Sequence, residues 1–344
     1  MQLPFPQDTV IDFQCAEEFI DALTKLHRRS DDGTWRFIWR GVSDHNFSLL
    51  PSALRPNGKA KLIEAFGGRS LFADTQEQLE LHAVADFYRQ ANWHGLTLPQ
   101  VGEVWHRLLV NAPDSFLTNR DYLRTLCHLS WPPRELESIV GLAQHYGVPT
   151  RLLDWTSDAL VAAYFAAKGG IERLQKTNHK STKQPVADQR IAIWSAWEQS
   201  FQMTDLISTG DGQAALGASK IDPKCRIRVI DSPYASNPNL GAQKGRFTCV
   251  HVDKGHDKIT SETSLDDVQK YIFDVRQGPL GSDEATPQKL PPQIVKLSLP
   301  LLESSKLFSW LMKQDYDAAR IFPGLRGIAL AAEERAICKQ LLPS

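Results

Sequence analysis

Midway along this 344-residue chain the hydrophobic period changes from helical to strand spacing, and that change bounds the fold more tightly than any other feature of the sequence. Through the first half, apolar residues recur at helical spacing. Phe13, Ala16, Phe19, Ile20, Leu23 and Leu26 share one helix face, as do Leu79, Ala83 and Phe87, and then Val104 and Leu108. In the second half, short runs rich in β-branched and aromatic residues take over, at 190–196, 226–230, 247–252, 271–275 and 294–299, and these read as strands. The C-terminus returns to helix over 301–313 and 328–341. The pattern predicts an α+β fold: a helical N-terminal half packed on a small mixed β-sheet, with C-terminal helices.

Local signals sharpen this frame. Asp12 is placed to cap the first helix, which Asp31-Asp32-Gly33 ends, and Arg36 to Trp39 reads as a short strand. Further helices are expected at 76–93, 99–111 and 119–129. Pro132-Pro133 opens another, and Gly147-Val148-Pro149 closes it. A short strand then leads into a helix over 158–168, with Thr156 or Ser157 as its cap. The polar segments 173–189 and 278–292 read as surface loops.

Composition removes several classes of protein. With 39 basic against 40 acidic residues, the formal charge is −1, which argues against a protein built mainly to hold nucleic acid. Only a local basic patch at 173–190 leaves that partner open. The longest clean apolar run, 159–167, is about half of what a bilayer helix needs, so no membrane is expected as a partner. MQLPFPQDTV lacks the basic start and apolar run of a secretory signal. The five cysteines, at 15, 127, 225, 249 and 338, form no CxxC pair, which points away from disulfide scaffolds and cysteine zinc sites. A cytoplasmic protein with reduced thiols is the expectation. The glycines at 210, 212 and 217 have the wrong spacing for a dinucleotide loop, and His251 and His256 lack a third ligand. No metal and no permanently bound cofactor are therefore expected.

Three polar stretches in apolar frames remain as candidate sites. Trp39-Arg40-Gly41 ends a strand with a guanidinium fork suited to carboxylate or phosphate oxygens, and Leu50-Pro51-Ser52 and Arg55 follow it. The bland alternative is a buried arginine tied to a core carboxylate. In the second stretch, 143–157, Gln144, His145, Arg151 and Asp154 can converge around a turn. The amides of the helix that follows favour an anion there. Its alternative is a rigid corner in which Asp154 pairs with Arg151 or Arg40. The third stretch, Gln243 before Gly245, projects an amide into a cleft or is an ordinary turn before a strand. An open cavity lined by these residues supports a site, whereas mutual burial supports the corner.

Taken together, these stretches resemble the FRG domain family, named for a Phe-Arg-Gly motif and found in bacteria and phages. Trp39-Arg40-Gly41 corresponds to that motif, with tryptophan in place of phenylalanine. Leu50-Pro51-Ser52 with Arg55 fits its continuation, and Gln144 through Thr156 its most specific segment. Ala192-Ile193-Trp194, then Gln243, Gly245 and Phe247, and finally Ile321 through Leu325 with Gly327 resemble the later motifs. The resemblance implies a domain over 35–330 carrying the two polar insertions. A helical extension at 1–34 would precede it, and the end of a helix at 331–344 would follow.

A looser resemblance, to ADP-ribosyltransferases of the arginine–serine–glutamate type, rests on the order Arg40-Gly41, Thr156-Ser157 and the Gln243 segment. It implies an NAD-processing enzyme acting as a toxin or defence effector, with NAD as substrate. In that reading Arg40, His145, Asp154, Thr156 and Gln243 are the catalytic candidates, and Gly41, Arg55, Gln144, Thr150, Arg151 and Ser157 the binding ones. The arginine fork would hold the pyrophosphate, a hydroxyl would orient the nicotinamide ribose, and a carboxylate would stabilise the oxocarbenium-like transition state. Gln243 stands where that family has its glutamate. Either Asp154 or Glu262 serves instead, or the cleft is a non-catalytic module that recognises a nucleotide, protein or nucleic acid. A hydrolase using His145 oriented by Asp154 is the third reading.

Overall fold

The computed structural model describes residues 10–31, 36–66, 75–111, 131–177, 186–202, 225–232, 237–252, 256–277 and 294–341. Among these, seven strands form one mixed sheet: β1 (Val10–Asp12), β2 (Phe37–Val42), β3 (Leu153–Thr156), β4 (Arg190–Trp197), β5 (Cys225–Ile230), β6 (Gly245–Val252) and β7 (Ile294–Pro300). Their order is β1-β7-β4-β2-β3-β6-β5. β1 adds parallel to β7, and the other pairs are antiparallel. The fold is α+β.

Alternation along the strands decides what each face buries. Phe37 and Trp39 of β2, with Ile191 and Ile193 of β4, belong to a core shared with helices α1 (Ala16–Asp31) and α6 (Ala159–Thr177). The same core takes in α9 (Ser304–Lys313). Ile38, Ala192, Trp194, Leu153 and Trp155 belong to a second core, closed by Leu265, Val268 and Ile272 of α8 (Leu265–Gln277). A third core joins Phe247 and Cys249 of β6 to α3 (Gln76–Trp93), α4 (Glu103–Asn111) and α5 (Glu137–His145). The remaining helices are α2 (Pro56–Phe66), α7 (Pro238–Ala242), α10 (Ala318–Ile321) and α11 (Leu325–Leu341).

Several expectations are corrected. Residues 271–275 lie on α8 and are not a strand. Ser264 accepts a hydrogen bond from Asp267 N at 3.4 Å, and Leu265, Val268 and Ile272 bury one helical face, so packing overrides the local β-propensity. Asp12 is not a helix cap, since it lies on β1 and accepts a hydrogen bond from Ser298 Oγ. Helix α1 starts later, with Ala16 N donating to Glu303 Oε2 at 2.9 Å from across the fold. The cap of α6 is Asp158, whose Oδ1 accepts from Leu160 N at 3.0 Å, and Thr156 instead accepts from Asp158 N. The first part of 173–189 is not loop, because α6 continues to Thr177 and Arg173 pairs with Asp44 at 3.0 Å. The expected helix 119–129 and the segment 278–292 lie outside the described residues.

Gly41 sets how closely α6 can lie on the sheet. A Cβ there would fall 1.9 Å from Ala162 O and 2.8 Å from Ala166 N, so strand and helix meet backbone to backbone. Gly41→Ala is expected to destabilise the fold by about 3 kcal/mol, because neither backbone can yield without moving a core layer. Urea unfolding of the variant checks this, and an unchanged midpoint would count against the close approach.

Candidate functional site

The sheet opens in its middle. β2 and β3 are registered at a single pair, Trp39 with Thr156, although β2 continues to Val42 alongside β4. Past that pair the two strands part, and the Asp154 carbonyl accepts a hydrogen bond from Arg40 Nη1 at 2.7 Å. A side chain thus takes over a backbone acceptor that a continued ladder would have used. The parting leaves a cavity of about 530 Å³, within the usual ~300–1,000 Å³ of small-molecule sites.

Eight of the eleven residues singled out from the sequence border this cavity: Arg40, Gly41, Arg55, Gln144, His145, Asp154, Thr156 and Gln243. Among the described residues, Asp154 is the one carboxylate at the cavity, which Arg40 and Arg55 also border, whereas Arg246 pairs with Asp231 at 3.0 Å. Asp154 Oδ2 lies 3.6 Å from Arg40 Nη1, and the Asp154 side chain is 60% exposed against 16% for Arg40. Arg55 is held by Nε donating to Leu50 O at 2.8 Å. Burial and the neighbouring charge of Arg40 pull the Arg55 pKa down, while Asp154 opposes the shift. Two like-charged forks so close together are poorly neutralised by one carboxylate, which favours an added anion.

The corner after α5 positions Asp154. The helix ends where Val148 N reaches back to Ala143 O at 3.0 Å, with Gly147 at φ +92°, as its glycine suggested. Gln144 then lies between two partners: Thr150 Oγ1 donates to its Oε1, and its Nε2 donates to Asp154 Oδ1. His145 Nε2 pairs with Asn239 Nδ2 at 3.0 Å, which leaves the imidazole nitrogen as acceptor. Burial pushes the His145 pKa down, and the nearby charge of Asp154 resists this. Thr156 donates to Gln243 O at 2.6 Å, and the Gln243 amide donates to Ile321 O at 3.3 Å.

Three of the singled-out residues do not border the cavity. Ser157 donates to Lys244 O at 3.4 Å, beside the junction of β3 and α6. Thr150 is buried behind Gln144. Arg151 is in the core, with Nε and Nη2 each 3.0 Å from the two oxygens of buried Glu80, and Glu77 at 3.4 Å. Trp131 Nε1 and Gln76 Nε2 complete the Glu80 shell at 2.9 and 3.2 Å. Of the two pairings in the corner reading, Asp154 with Arg151 is not formed, because Arg151 pairs with Glu80, and Asp154 with Arg40 is formed, at the cavity. Burial pushes the neighbouring Cys249 thiol up to about 11, so it stays protonated. Glu262, the other candidate acid, lies 2.5 Å from Lys59 and does not border the cavity.

The aromatic walls were not singled out from the sequence as site residues. Phe47 (52% exposed), Phe165 and Phe322 border the cavity, with the Phe165 and Phe322 rings edge-on at 6.2 Å. Phe322 belongs to a late motif noted in the sequence. Phe165 sits in an apolar helical run, where nothing in one sequence tells an exposed ring from a core ring.

The fold and cleft define a class: an α+β protein with a cationic, aromatic-walled cavity where two central strands separate. Residues 35–177 match the family model of the FRG domain, so the chain contains an FRG domain over that span. No curated protein and no solved structure matches the chain. Among the described residues no helix is long and apolar enough to cross a membrane.

Two outcomes test this geometry. Arg151→Met is expected to cost about 3–5 kcal/mol by stranding Glu80, and Arg151→Met with Glu80→Met to recover most of it, as measured by denaturant unfolding. A double variant no better than the single one would refute the buried pair. The His145 ring protons should titrate by NMR with a midpoint below the ordinary imidazole value of ~6.5. Asp154→Asn should lower that midpoint further, because it removes the charge that favours imidazolium. A midpoint that rises in Asp154→Asn would contradict the assignment.

Proposed function

We propose that the cavity binds NAD and breaks its nicotinamide–ribose bond, in the manner of an ADP-ribosyltransferase. The observation that carries this reading is the opposition, in one aromatic-walled cleft, of the paired guanidiniums Arg40 and Arg55 to the single carboxylate Asp154. The guanidiniums grip the diphosphate, where planar forks match phosphate oxygens. The Phe47, Phe165 and Phe322 rings offer faces and edges to the heterocycles. Asp154 stabilises the positive charge that develops on the ribose as nicotinamide departs.

The step balances as follows. The bond from ribose C1′ to the pyridinium nitrogen breaks, and its electron pair leaves on neutral nicotinamide. An oxygen of water or of a target hydroxyl bonds to C1′, and its proton passes to Asp154. Gln243 takes no part as an acid, and the carboxylate at the cavity replaces the missing glutamate.

Chromatography of nicotinamide released from NAD, with calorimetric titration of ADP-ribose beside it, tests the reading. Expected are release well above the spontaneous rate and a loss of about 10²-fold or more in Asp154→Asn. Arg40→Ala should abolish turnover and weaken ADP-ribose binding at least about tenfold. Saturable binding without release would make the cleft a nucleotide-recognition module. Neither release nor binding would remove NAD from consideration.

A further inference from the structure

Thr150 does not touch the cavity, yet both halves of the site are tied to it. Its backbone holds the segment that carries Arg55: Ala53 N donates to Thr150 O at 3.0 Å, and Thr150 N donates to Ser52 Oγ at 3.2 Å. Its side chain reaches the other way. Leu152 N donates to Thr150 Oγ1 at 3.2 Å, and the hydroxyl proton goes to Gln144 Oε1. The Thr150 hydroxyl and the acceptor-only Asp154 carboxylate together set the Gln144 amide, with its oxygen toward Thr150 and its NH₂ toward Asp154 Oδ1. Oδ1 is therefore occupied as an acceptor, and Oδ2, 3.6 Å from Arg40, is the oxygen left for the cleft.

We infer that Thr150 is a positioning residue of the Asp154 carboxylate, acting through the Gln144 amide, and that Asp154 works through Oδ2. This rests on the reading of the cleft as an NAD-cleaving site. Thr150 has two separable roles. Its peptide group registers the Arg55 turn and hence the grip on phosphate. Its hydroxyl fixes which Asp154 oxygen is presented. Removing the hydroxyl alone should harm the chemical step and spare the binding of the diphosphate. A buried threonine that only filled space would show no such split.

The test is the steady-state release of nicotinamide by the full chain, with Thr150→Val and Thr150→Ser compared at a temperature below the unfolding of each. Thr150→Val is expected to lower kcat about tenfold or more with KM for NAD changed less than about twofold, and Thr150→Ser to restore kcat. Gln144→Leu, on the cavity wall, should reproduce the kcat loss, and it keeps the inference testable if Thr150→Val fails to fold. Wild-type release with an unchanged kcat in Gln144→Leu, or with kcat falling and KM rising in step in Thr150→Val, overturns the positioning role and leaves the NAD reading standing. No release by the wild-type chain overturns the NAD reading itself, and the positioning role falls with it.

Discussion

A single hydrogen bond, from Arg40 Nη1 to the Asp154 carbonyl, lets the sheet open without leaving a central strand unsatisfied. In the middle of a sheet the usual donor to a strand carbonyl is the next strand. Here the ladder between β2 and β3 stops at Trp39 and Thr156. The guanidinium that replaces it also lies beside the Asp154 carboxylate. One side chain thus opens the cavity, places a cation in it and brings an anion within reach. The back of the cavity then has to be closed, and α6 does this by meeting Gly41 at backbone distance.

The polar density of 144–157 serves two ends, and strand alternation separates them. Asp154 and Thr156 share one side of β3 and border the cavity, while Leu153 and Trp155 fill the core on the other. Arg151 precedes the strand and takes its charge inward to Glu80, where Trp131 and Gln76 complete the shell. A buried pair of this kind fixes geometry more than it adds net stability. It anchors the corner to α3, and the corner holds Gln144 and Asp154 toward the cleft.

Much of this was legible in the sequence, and the remainder was hidden for physical reasons. The periodicity of Phe19, Leu23 and Leu26 and the runs at 190–196 and 294–299 placed their elements, because burial on one face leaves a fixed spacing. Residues 271–275 misled, since Tyr, Ile, Phe and Val favour strands locally, while Leu265, Val268 and Ile272 of the same helix pack on a sheet face distant in sequence. The cap on α1 was out of reach for the same reason, as Glu303 is 287 residues from Ala16. Arg40, Gln144 and Asp154 were visible as polar residues in apolar frames. Arg151 belonged to the same frame, and only its partner on α3, 71 residues earlier, sends it into the core. The aromatic walls left no mark, because exposure of a ring is a property of the assembled fold.

The glutamine at 243 has an architectural reason. Its amide donates to Ile321 O and its backbone carbonyl accepts from Thr156, so it joins the turn before β6 to the chain just ahead of Phe322. A glutamate there would set carboxylate oxygens against the Ile321 carbonyl, acceptor against acceptor, and the contact would be lost. An amide is the side chain of that length that can both reach and donate. The position therefore serves to hold the Phe322 wall of the cavity, and it cannot also supply a negative charge. The charge that the proposed NAD cleavage calls for is therefore assigned to Asp154, where Gln144 holds one oxygen and Arg40 lies beside the other. Among the described residues the cavity thus carries two amides, Gln144 and Gln243, and one carboxylate, Asp154.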